Sequence, residues 1–352
     1  MPASSSSAAR CLADVIGAAT YVIAEAGVNH NGSVEQARRL IDVAAEAGAD
    51  AVKFQTFRAA TLVSTATPMA DYQKRNTGTS SSMGDMLRDL ELSFDDFAAL
   101  SAYCREVGIE FLSTPFDVES ADVLHRLGMR AFKLASGEIT NPQLIRHVGR
   151  FDRPVILSTG MADLGEIERA LGWLEDSGSG EIAILHCVSD YPTAPADVNL
   201  RAMDTLAAAF GHVVGWSDHC VGDTVAIAAV ARGARIIEKH FTLDRTLPGP
   251  DHKASLEPVE LARMIERIRV VEQALGDGRK GPTSAERNVK AVARRSIAVL
   301  RDIAAGQRIT HDDLGFLRPG TGLPPDLLEM VVGRTARVAI PGGCLLTLEQ
   351  ID

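Results

Sequence analysis

The chain has 352 residues, of which 46% are hydrophobic and 23% are charged, and its formal net charge is −10 at pH 7. These proportions are ordinary for a globular protein, and no apolar run approaches the ~20 residues of a membrane span. The acidic balance argues against a nucleic-acid partner, because phosphate backbones bind to basic surfaces. An anionic small substrate would need positive charges supplied locally.

Length and cysteine usage set further expectations. Single hydrophobic cores stop growing at roughly 250–300 residues, so the chain predicts one large domain and one small domain. Its five cysteines are scattered without CxxC spacing, which favours reduced thiols, a cytoplasmic location and no zinc cluster. Residues 1–20 are rich in Ser and Ala and lack a basic stretch before an apolar core, which predicts a frayed leader and not a signal peptide.

Eight β-rich segments alternate with helical patterns in the larger part of the chain. The predicted strands are 21–27, 51–57, 110–116, 131–138, 154–160, 182–189, 213–219 and 235–241. Helix starts and stops between them are indicated by patterns such as Ser93-Phe94-Asp95-Asp96 and by glycines such as Gly108. This alternation predicts a (β/α)8 TIM barrel over residues 21–276. A doubly wound open sheet is the alternative, but GVNHNG after the first strand is not its GxGxxG fingerprint.

Three segments complete the predicted organisation. The connection from Arg58 to Leu92 is long and rich in Thr, Ser and Gly, which predicts a mobile loop over one barrel mouth. Residues 277–293 are polar, basic and contain glycine, as is typical of a linker. Residues 294–352 alternate short apolar runs with turns, which predicts a small mostly-β domain that docks on another surface.

The carboxyl ends of the predicted strands are unusually polar. Active sites of TIM barrels lie at these ends, where side chains from different strands converge. The residues there are Glu25, Lys53, Gln55, Thr114, Lys133, Ser136, Glu138, Ser158, Thr159, His186, Ser189, Ser217, His219, Glu238 and His240. A single polar strand end is explained by exposure to solvent, but the set as a whole predicts a functional site at this end of the barrel.

Each of the last two strands delivers a histidine. Side chains alternate along a strand, so Ser217 and His219 share one face. Glu238 and His240 likewise share a face, while Lys239 is expected to turn outward. If the shared face is the barrel interior, the two imidazoles meet. Two neutral imidazoles without a cysteine suit an octahedral divalent ion such as Mn²⁺, completed by water and substrate oxygens, better than a closed zinc site.

Two lysines at strand ends favour an anionic substrate. Lys53 and Lys133 can supply the local positive charge that an acidic protein needs for this purpose. Hydroxyl and backbone donors around Ser136, Ser158 and Thr159 would add hydrogen bonds to phosphate or carboxylate oxygens. The competing chemistry is a Schiff-base lysine, which requires a desolvated amine and no metal.

Ordered sequence blocks resemble the bacterial sialic acid synthase family. They lie between residues 23 and 252 and include IAEAGVNHNG, KFQTF, FLSTPFD, FKLASGEITNPQLI, ILSTGMA, HCVSDYPTAPADVNLRAM, GWSDH and IEKHFTLDRTLPGPDH. LRPGTG at 317–322 is similar to that family's C-terminal antifreeze-like (SAF) domain. The tail also raises the alternative of a non-catalytic carbohydrate- or ice-binding protein, but it lacks a repeated Thr-x-Thr array.

The resemblance implies condensation of phosphoenolpyruvate with an N-acylated amino sugar, giving a nine-carbon 2-keto acid (a nonulosonate) and phosphate by C–O cleavage. N-acetylmannosamine, which would yield N-acetylneuraminate, is the favoured sugar. The alternatives are a legionaminic acid synthase using 2,4-diacetamido-2,4,6-trideoxymannose and a pseudaminic acid synthase. Ser189 departs from the family pattern, which often has asparagine there.

The resemblance also implies roles for individual residues. Phosphoenolpyruvate would be bound by Lys53, Thr114, Lys133, Ser136, Ser158, Ser189 and Ser217. His219 and His240 would ligate Mn²⁺ or Mg²⁺, which would polarise the sugar aldehyde. The sugar would be contacted by Glu25, Gln55, Tyr191, Asp251 and Arg318, with Glu25 a candidate proton-transfer group and Arg318 supplied by the partner in a domain-swapped homodimer. Glu138 and Glu238 match family acids without an assigned role.

Overall fold

The computed structural model describes residues 11–64, 67–77 and 82–352, and the chain divides into two compact units. The first unit ends at Gly276, and the second comprises Asp277–Asp352. Each unit has a hydrophobic core of its own. No helix in these described ranges is long and apolar enough to cross a membrane.

The first unit is a barrel of eight parallel strands. They are β1 (Tyr21–Gly27), β2 (Ala51–Thr56), β3 (Glu110–Pro115), β4 (Phe132–Leu134), β5 (Val155–Ser158), β6 (Ile182–Cys187), β7 (Val213–Asp218) and β8 (Ile236–His240). Their hydrogen-bonded order is β3-β2-β1-β8-β7-β6-β5-β4, and β3 also contacts β4, which closes the barrel. The predicted TIM barrel is therefore confirmed, and the doubly wound sheet is not observed among the described strands.

Helices surround the strands and occupy the β2–β3 connection. They are α1 (Ala13–Ile16), α2 (Val34–Glu46), α3 (Ala59–Leu62), α4 (Asp71–Thr77), α5 (Met83–Leu90), α6 (Phe94–Val107), α7 (Val118–Arg126), α8 (Pro142–Gly149), α9 (Leu164–Asp176), α10 (Ala202–Phe210), α11 (Thr224–Ala231) and α12 (Pro258–Leu275). α6 begins at a capping box formed by Ser93 and Asp96 and ends at Gly108, whose φ of 86° is left-handed. The sequence signals for this helix are thus confirmed.

The strand prediction is wrong at residues 135–138. β4 ends at Leu134, and Ser136–Glu138 form a 3-10 helix. The chain leaves the sheet here because the Ser136 hydroxyl accepts a hydrogen bond from the Gly160 amide (2.9 Å) above the strand ends. Most of the other predicted strands are shorter by one or two residues at an end.

Residues 11–20 contradict the predicted frayed leader. Leu12 is 1% exposed, and Val15 and Ile16 of α1 are also buried in the core of the first unit. The Leu12 amide donates to Glu181 Oε2 at 2.8 Å, just ahead of β6, so this segment covers the amino-terminal end of the barrel. The Ser- and Ala-rich composition hid this short apolar cluster; residues 1–10 lie outside the described residues.

The β2–β3 connection, which the sequence predicted to be a mobile loop, contains helices. It carries α3, α4 and α5, and Leu87 and Leu90 of α5 form a small core with Val28 and Phe57. α5 starts where Ser82 accepts a hydrogen bond from the Asp85 amide. Residues 65–66 and 78–81, which include part of the Ser- and Gly-rich stretch, lie outside the described residues.

The second unit is a small, mostly irregular β structure. β9 (Ser296–Val299) and β10 (Leu314–Leu317) pair antiparallel, and α14 (Leu328–Val331) follows them. Its core includes Ile297, Val299, Ile309, Ile340 and Leu346. The segment predicted as a linker, 277–293, contains the helix α13 (Ser284–Ala293), which begins at a capping box of Thr283 and Glu286.

We predict that Leu12→Ala destabilises the first unit by about 2–4 kcal/mol, because it leaves a cavity where a buried leucine was. Both tryptophans, Trp173 and Trp216, lie in this unit, so urea unfolding followed by tryptophan fluorescence measures the effect. Leu275→Ala is the control, since Leu275 is 52% exposed at the end of α12 and its loss costs about 0.5 kcal/mol or less. Equal midpoints for the two variants would contradict the docking of residues 11–20.

Candidate active site

The carboxyl ends of the strands surround a cavity of about 440 Å³. All of the sequence-predicted site residues except Glu138, Thr159, His186 and Arg318 line it. They are Glu25, Lys53, Gln55, Thr114, Lys133, Ser136, Ser158, Ser189, Tyr191, Ser217, His219, Glu238, His240 and Asp251. Side chains from all eight strand ends therefore converge on one space, as the barrel topology requires.

Glu138 and Arg318 do not line this cavity. The 3-10 turn after β4 directs Glu138 to Asn141, whose Nδ2 donates to its carboxylate at 2.7 Å, and burial raises the pKa of Glu138. Arg318 is exposed at the end of β10 in the second unit. Two other polar strand ends also turn away: Thr159 donates to the Leu185 carbonyl, and His186 bonds to the Val198 carbonyl.

A buried charge network occupies the floor of the cavity. Lys53 Nζ lies 2.7 Å from Glu25 Oε2 and 3.7 Å from Glu238 Oε2. Lys133 Nζ lies 3.6 Å from the other Glu238 oxygen, so this one carboxylate stands between two ammonium groups. Ser217 donates to Glu238 Oε1 at 2.8 Å, and Lys53 donates to Thr114 Oγ1 at 2.9 Å. Glu238, which sequence analysis left without a role, is the counter-ion that the two lysines share.

The two carboxyl groups of this network differ in charge state. Burial would raise the pKa of Glu238, but Lys133 and Lys53 outweigh it and lower that pKa to about 2. Burial dominates at Glu25 and raises its pKa to about 7, despite the nearby Lys53. Glu238 is thus fixed as an anion, whereas Glu25 exchanges its proton near neutral pH.

The two lysines are also not equivalent. Burial lowers the pKa of Lys53, but Glu238 and Glu25 outweigh it and raise that pKa above its usual value. Burial lowers the pKa of Lys133, whose Nζ lies 3.6 Å from the Glu238 carboxylate. Lys53 Nζ, by comparison, lies 2.7 Å from Glu25 Oε2. A protonated Lys53 is no Schiff-base nucleophile, so that competing chemistry now depends on Lys133 alone.

The two histidines meet in the cavity, as the strand periodicity predicts. Their ring centroids are 5.5 Å apart, and the Tyr191 ring lies 4.0 Å from that of His219. Close pairing of β7 with β8 requires Gly215, where an added Cβ would lie 2.4 Å from the Ile236 carbonyl oxygen. The glycine therefore lets the two histidine-bearing strands approach each other.

Both imidazoles are in the form that a divalent ion requires. His219 Nδ1 donates to the Val188 carbonyl at 2.6 Å, which leaves the Nε2 lone pair directed away from that bond. Burial lowers the pKa of His219 to about 4, and burial together with His219 holds the pKa of His240 well below its usual range. Buried His240 Nδ1 has no hydrogen-bond partner in the described part of the chain, and Asp251 Oδ2 is 3.9 Å away.

These features fit a divalent ion held by two nitrogens. The described residues contain no group of three or more His, Cys, Asp or Glu side chains arranged to hold a metal, so protein ligation would stop at the two imidazoles. The remaining positions would go to oxygen atoms of water and substrate, as Mn²⁺ and Mg²⁺ prefer.

Hydroxyl groups of the cavity wall cluster around Gly160. The Gly160 amide donates to Ser136 Oγ and to Cys187 Sγ, and an added Cβ would lie 2.3 Å from Ser189 Oγ. Ser158 Oγ is buried without a hydrogen-bond partner among the residues the structure describes. An unsatisfied hydroxyl in a cavity that is also lined by Lys53 and Lys133 is suited to an anionic ligand.

Part of the cavity lining is apolar, and we call this part the apolar wall; sequence analysis missed it. It consists of Val28, Phe57, Leu62, Met83, Met86, Leu87, Leu90 and Phe116. The available signal was the spacing of Met83, Met86, Leu87 and Leu90, which is the i, i+3, i+4, i+7 pattern of an amphipathic helix. The neighbouring Ser- and Gly-rich stretch obscured it.

The fold and the site together define a TIM-barrel protein with a charge-lined cavity at the carboxyl ends of its strands. In the chain, the barrel is followed by a small β unit. The chain belongs to the NeuB family, whose family model matches residues 40–280, and the SAF domain model matches residues 294–352. The resemblance to sialic acid synthases is thereby confirmed.

Individual relatives are similar over 77–94% of this chain. The N,N'-diacetyllegionaminic acid synthase of Legionella pneumophila is 46% identical over 336 residues, which cover 94% of each chain. The N,N'-diacetyllegionaminic acid synthase of Campylobacter jejuni is 44% identical and covers 90% of this chain and 96% of its own. The crystal structure of N-acetylneuraminic acid (sialic acid) synthetase from Leptospira borgpetersenii in complex with citrate matches with 35% identity and a TM-score of 0.69, over 77% of this chain and 90% of that one.

We predict that Glu25→Gln stabilises the metal-free protein relative to wild type as the pH rises from 5 to 8. In the wild-type protein, Glu25 binds its proton more tightly in the folded state than in the unfolded state. The folded protein therefore loses stability as the pH rises from about 4.5 to about 7, whereas the variant with glutamine does not. The relative gain is about 2–3 kcal/mol. Urea unfolding at both pH values measures it, and Glu106→Gln on exposed helix surface is the control. A difference between Glu25→Gln and wild type that does not change with pH would contradict the assignment.

Proposed function

We propose that this protein condenses phosphoenolpyruvate with an N-acylated amino sugar to give a nonulosonate and inorganic phosphate. The observation that carries the proposal is the opening of two buried ammonium groups and two neutral imidazoles onto one cavity. In the reaction, C3 of phosphoenolpyruvate bonds to the aldehyde carbon, water adds at C2, and the C2–O bond to phosphate breaks. The attacking water loses both of its protons as C2 becomes a ketone: the aldehyde oxygen takes up one, and the leaving phosphate takes up the other.

Phosphoenolpyruvate is assigned to the cationic and hydroxyl-rich side of the cavity. Lys53 and Lys133 supply charge, and Thr114, Ser136, Ser158, Ser189 and Ser217 supply hydroxyl groups for phosphate and carboxylate oxygens. Because Glu238 already pairs with both lysines, they stay in place before the substrate arrives. Such preorganisation reduces the cost of ordering the site on binding.

His219 and His240 are assigned to a divalent ion, Mn²⁺ or Mg²⁺. Bound there, the ion supplies Lewis-acid polarisation of the sugar aldehyde. The protein's own contribution is to present two deprotonated nitrogens and to keep the Tyr191 ring against them.

Glu25 is assigned to proton transfer at the sugar. A pKa of about 7 makes both its protonation states accessible at neutral pH, which is the condition for general acid and base catalysis. Gln55 Nε2 donates weakly to Glu25 Oε1 at 3.4 Å and, with Asp251, lines the adjoining space that we assign to the sugar.

The sugar we propose is 2,4-diacetamido-2,4,6-trideoxymannose, which makes the product a legionaminate. Two relatives at 46% and 44% identity carry legionaminic acid synthase names, against 35% for the sialic acid synthetase. The apolar wall of α5 also suits the C6 methyl group and the second acetamido methyl better than the hydroxyls of N-acetylmannosamine. The sequence-based preference for N-acetylmannosamine becomes the alternative.

Arg318 and the dimer belong to this proposal as well. The arginine is exposed in the second unit, and we propose that it reaches the sugar N-acyl group in the partner subunit of a domain-swapped homodimer. A monomeric mass for the active protein in solution would exclude this arrangement.

We predict phosphate release only when phosphoenolpyruvate, the sugar and Mn²⁺ are all present, with kcat/KM for the diacetamido sugar at least tenfold above that for N-acetylmannosamine. Loss of a methyl contact in an apolar pocket gives a discrimination of roughly 10–200-fold. The apolar wall is tested by Met86→Gln, which should reduce this preference, with Met330→Gln in the second unit as the control.

A reversed sugar preference would restore N-acetylneuraminate as the product. Full activity after exhaustive chelation would remove the metal from the mechanism. If phosphate is released neither with the diacetamido sugar nor with N-acetylmannosamine, the proposed function as a whole is contradicted.

A further inference from the structure

A second buried ion pair lies directly behind the two histidines. Asp218 is the last residue of β7 and precedes His219, while Lys239 precedes His240 on β8. Asp218 and Lys239 are cross-strand partners in the sheet register. Lys239 Nζ lies 3.0 Å from Asp218 Oδ2, and both side chains are 0% exposed. Neither residue lines the cavity, since alternate strand residues face opposite sides of the barrel wall. The expected outward direction of Lys239 therefore ends in a buried contact and not in solvent.

Both members of the pair hold the peptide backbone just after His219. Asp218 Oδ1 accepts a hydrogen bond from the Cys220 amide at 2.9 Å. Lys239 Nζ donates to the Cys220 carbonyl oxygen. One residue of β8 and one of β7 thus satisfy the two polar groups of the same residue, at the point where β7 ends.

The other polar groups around His219 are held by a different segment. The His219 carbonyl accepts from the Thr193 amide at 3.0 Å, and its ring bonds to the Val188 carbonyl. The segment 188–193 therefore holds one side of His219, and the Asp218–Lys239 pair holds the other. Among these contacts, only the pair connects the chain around His219 to the strand that carries His240.

We propose that Asp218 and Lys239 are positioning residues that fix the two imidazoles relative to each other. The inference rests on the proposed function in that it takes the imidazoles to be the metal-binding groups. The pair acts through the backbone of Cys220 and touches neither substrate nor cavity.

The chemistry of the two side chains explains why charged residues occupy this apolar layer. A carboxylate has several acceptor sites and an ammonium has three donors, so each can serve its partner and one Cys220 backbone group together. Two apolar side chains would fill the volume but would leave the Cys220 amide and carbonyl without partners. Outer contacts of this kind set ligand orientation, and their loss typically weakens metal binding 10–100-fold.

The test compares three variants by Mn²⁺ titration, using the electron paramagnetic resonance signal of free Mn²⁺, and by hydrogen exchange at the Cys220 amide. Asp218→Leu/Lys239→Met removes both charges while keeping apolar volume. Asp218→Asn keeps an acceptor for the Cys220 amide but leaves Lys239 without its carboxylate. Asp50→Leu/Arg269→Met is the control, because that ion pair also joins two elements and holds a backbone amide, but at the opposite end of the barrel.

For Asp218→Leu/Lys239→Met we expect at least tenfold faster exchange at Cys220 and at least tenfold weaker Mn²⁺ binding. The KM for phosphoenolpyruvate should stay within twofold of wild type, since Lys53 and Lys133 are untouched. Asp218→Asn should lower the unfolding temperature more than this double variant does, yet keep the Mn²⁺ Kd within threefold of wild type. The control pair should leave the Mn²⁺ Kd unchanged.

A general loss of stability would not reproduce this reversed order of stability and affinity. An unchanged Mn²⁺ Kd in the double variant, with or without faster exchange at Cys220, would overturn the positioning role. If wild-type protein binds no Mn²⁺, the metal in the proposed function is wrong. Faster exchange at Cys220 in the double variant would then show only that the pair holds the backbone, and the proposal that it positions metal-binding imidazoles would be overturned.

Discussion

The cavity depends on one carboxylate, Glu238, held between the ammonium groups of Lys53 and Lys133. Two buried cations without a counter-ion would repel each other and pay a desolvation cost of several kcal/mol each. Glu238 removes that repulsion, and Ser217 adds a hydrogen bond that holds the carboxylate in place. The protein can therefore fold with the two cations proposed to bind its anionic substrate already assembled, although its overall charge is negative. In the proposed function, the anionic substrate would bind to cations whose burial the fold has already stabilised.

Strand pairing carries this arrangement to the neighbouring histidines. Ser217 is the cross-strand partner of Glu238, and both side chains line the cavity. The Asp218–Lys239 pair lies on the other side of the barrel wall. β7 and β8 thus alternate between polar residues facing the cavity and charged residues facing the outer layer. Gly215 permits the close approach of the two strands on which this alternation depends. A one-residue slip of register would exchange the two sets and abolish the site.

Period-2 alternation and barrel topology made most of the site predictable, because they bring polar strand ends together whatever the loops do. His219 and His240 were paired on this basis, and the structure agrees. Glu138 was misplaced because the 3-10 turn after Leu134 depends on a tertiary contact with Gly160 that no local pattern encodes. The docking of Leu12 and the apolar face of α5 were missed because short apolar clusters stood beside Ser-rich composition. The burial of Lys239 could not be predicted, because its partner Asp218 lies next to it only once the two strands pair in the folded sheet.

We propose that Lys53 and Lys133 form a preassembled anion site, and the affinity for phosphoenolpyruvate tests this proposal most directly. Calorimetric titration of Lys133→Met should show a Kd at least tenfold weaker than that of wild type, about 1.4 kcal/mol or more. Lys253→Met, at an exposed lysine in the loop after β8, should bind as wild type does. An unchanged Kd in a folded Lys133→Met protein would contradict the account.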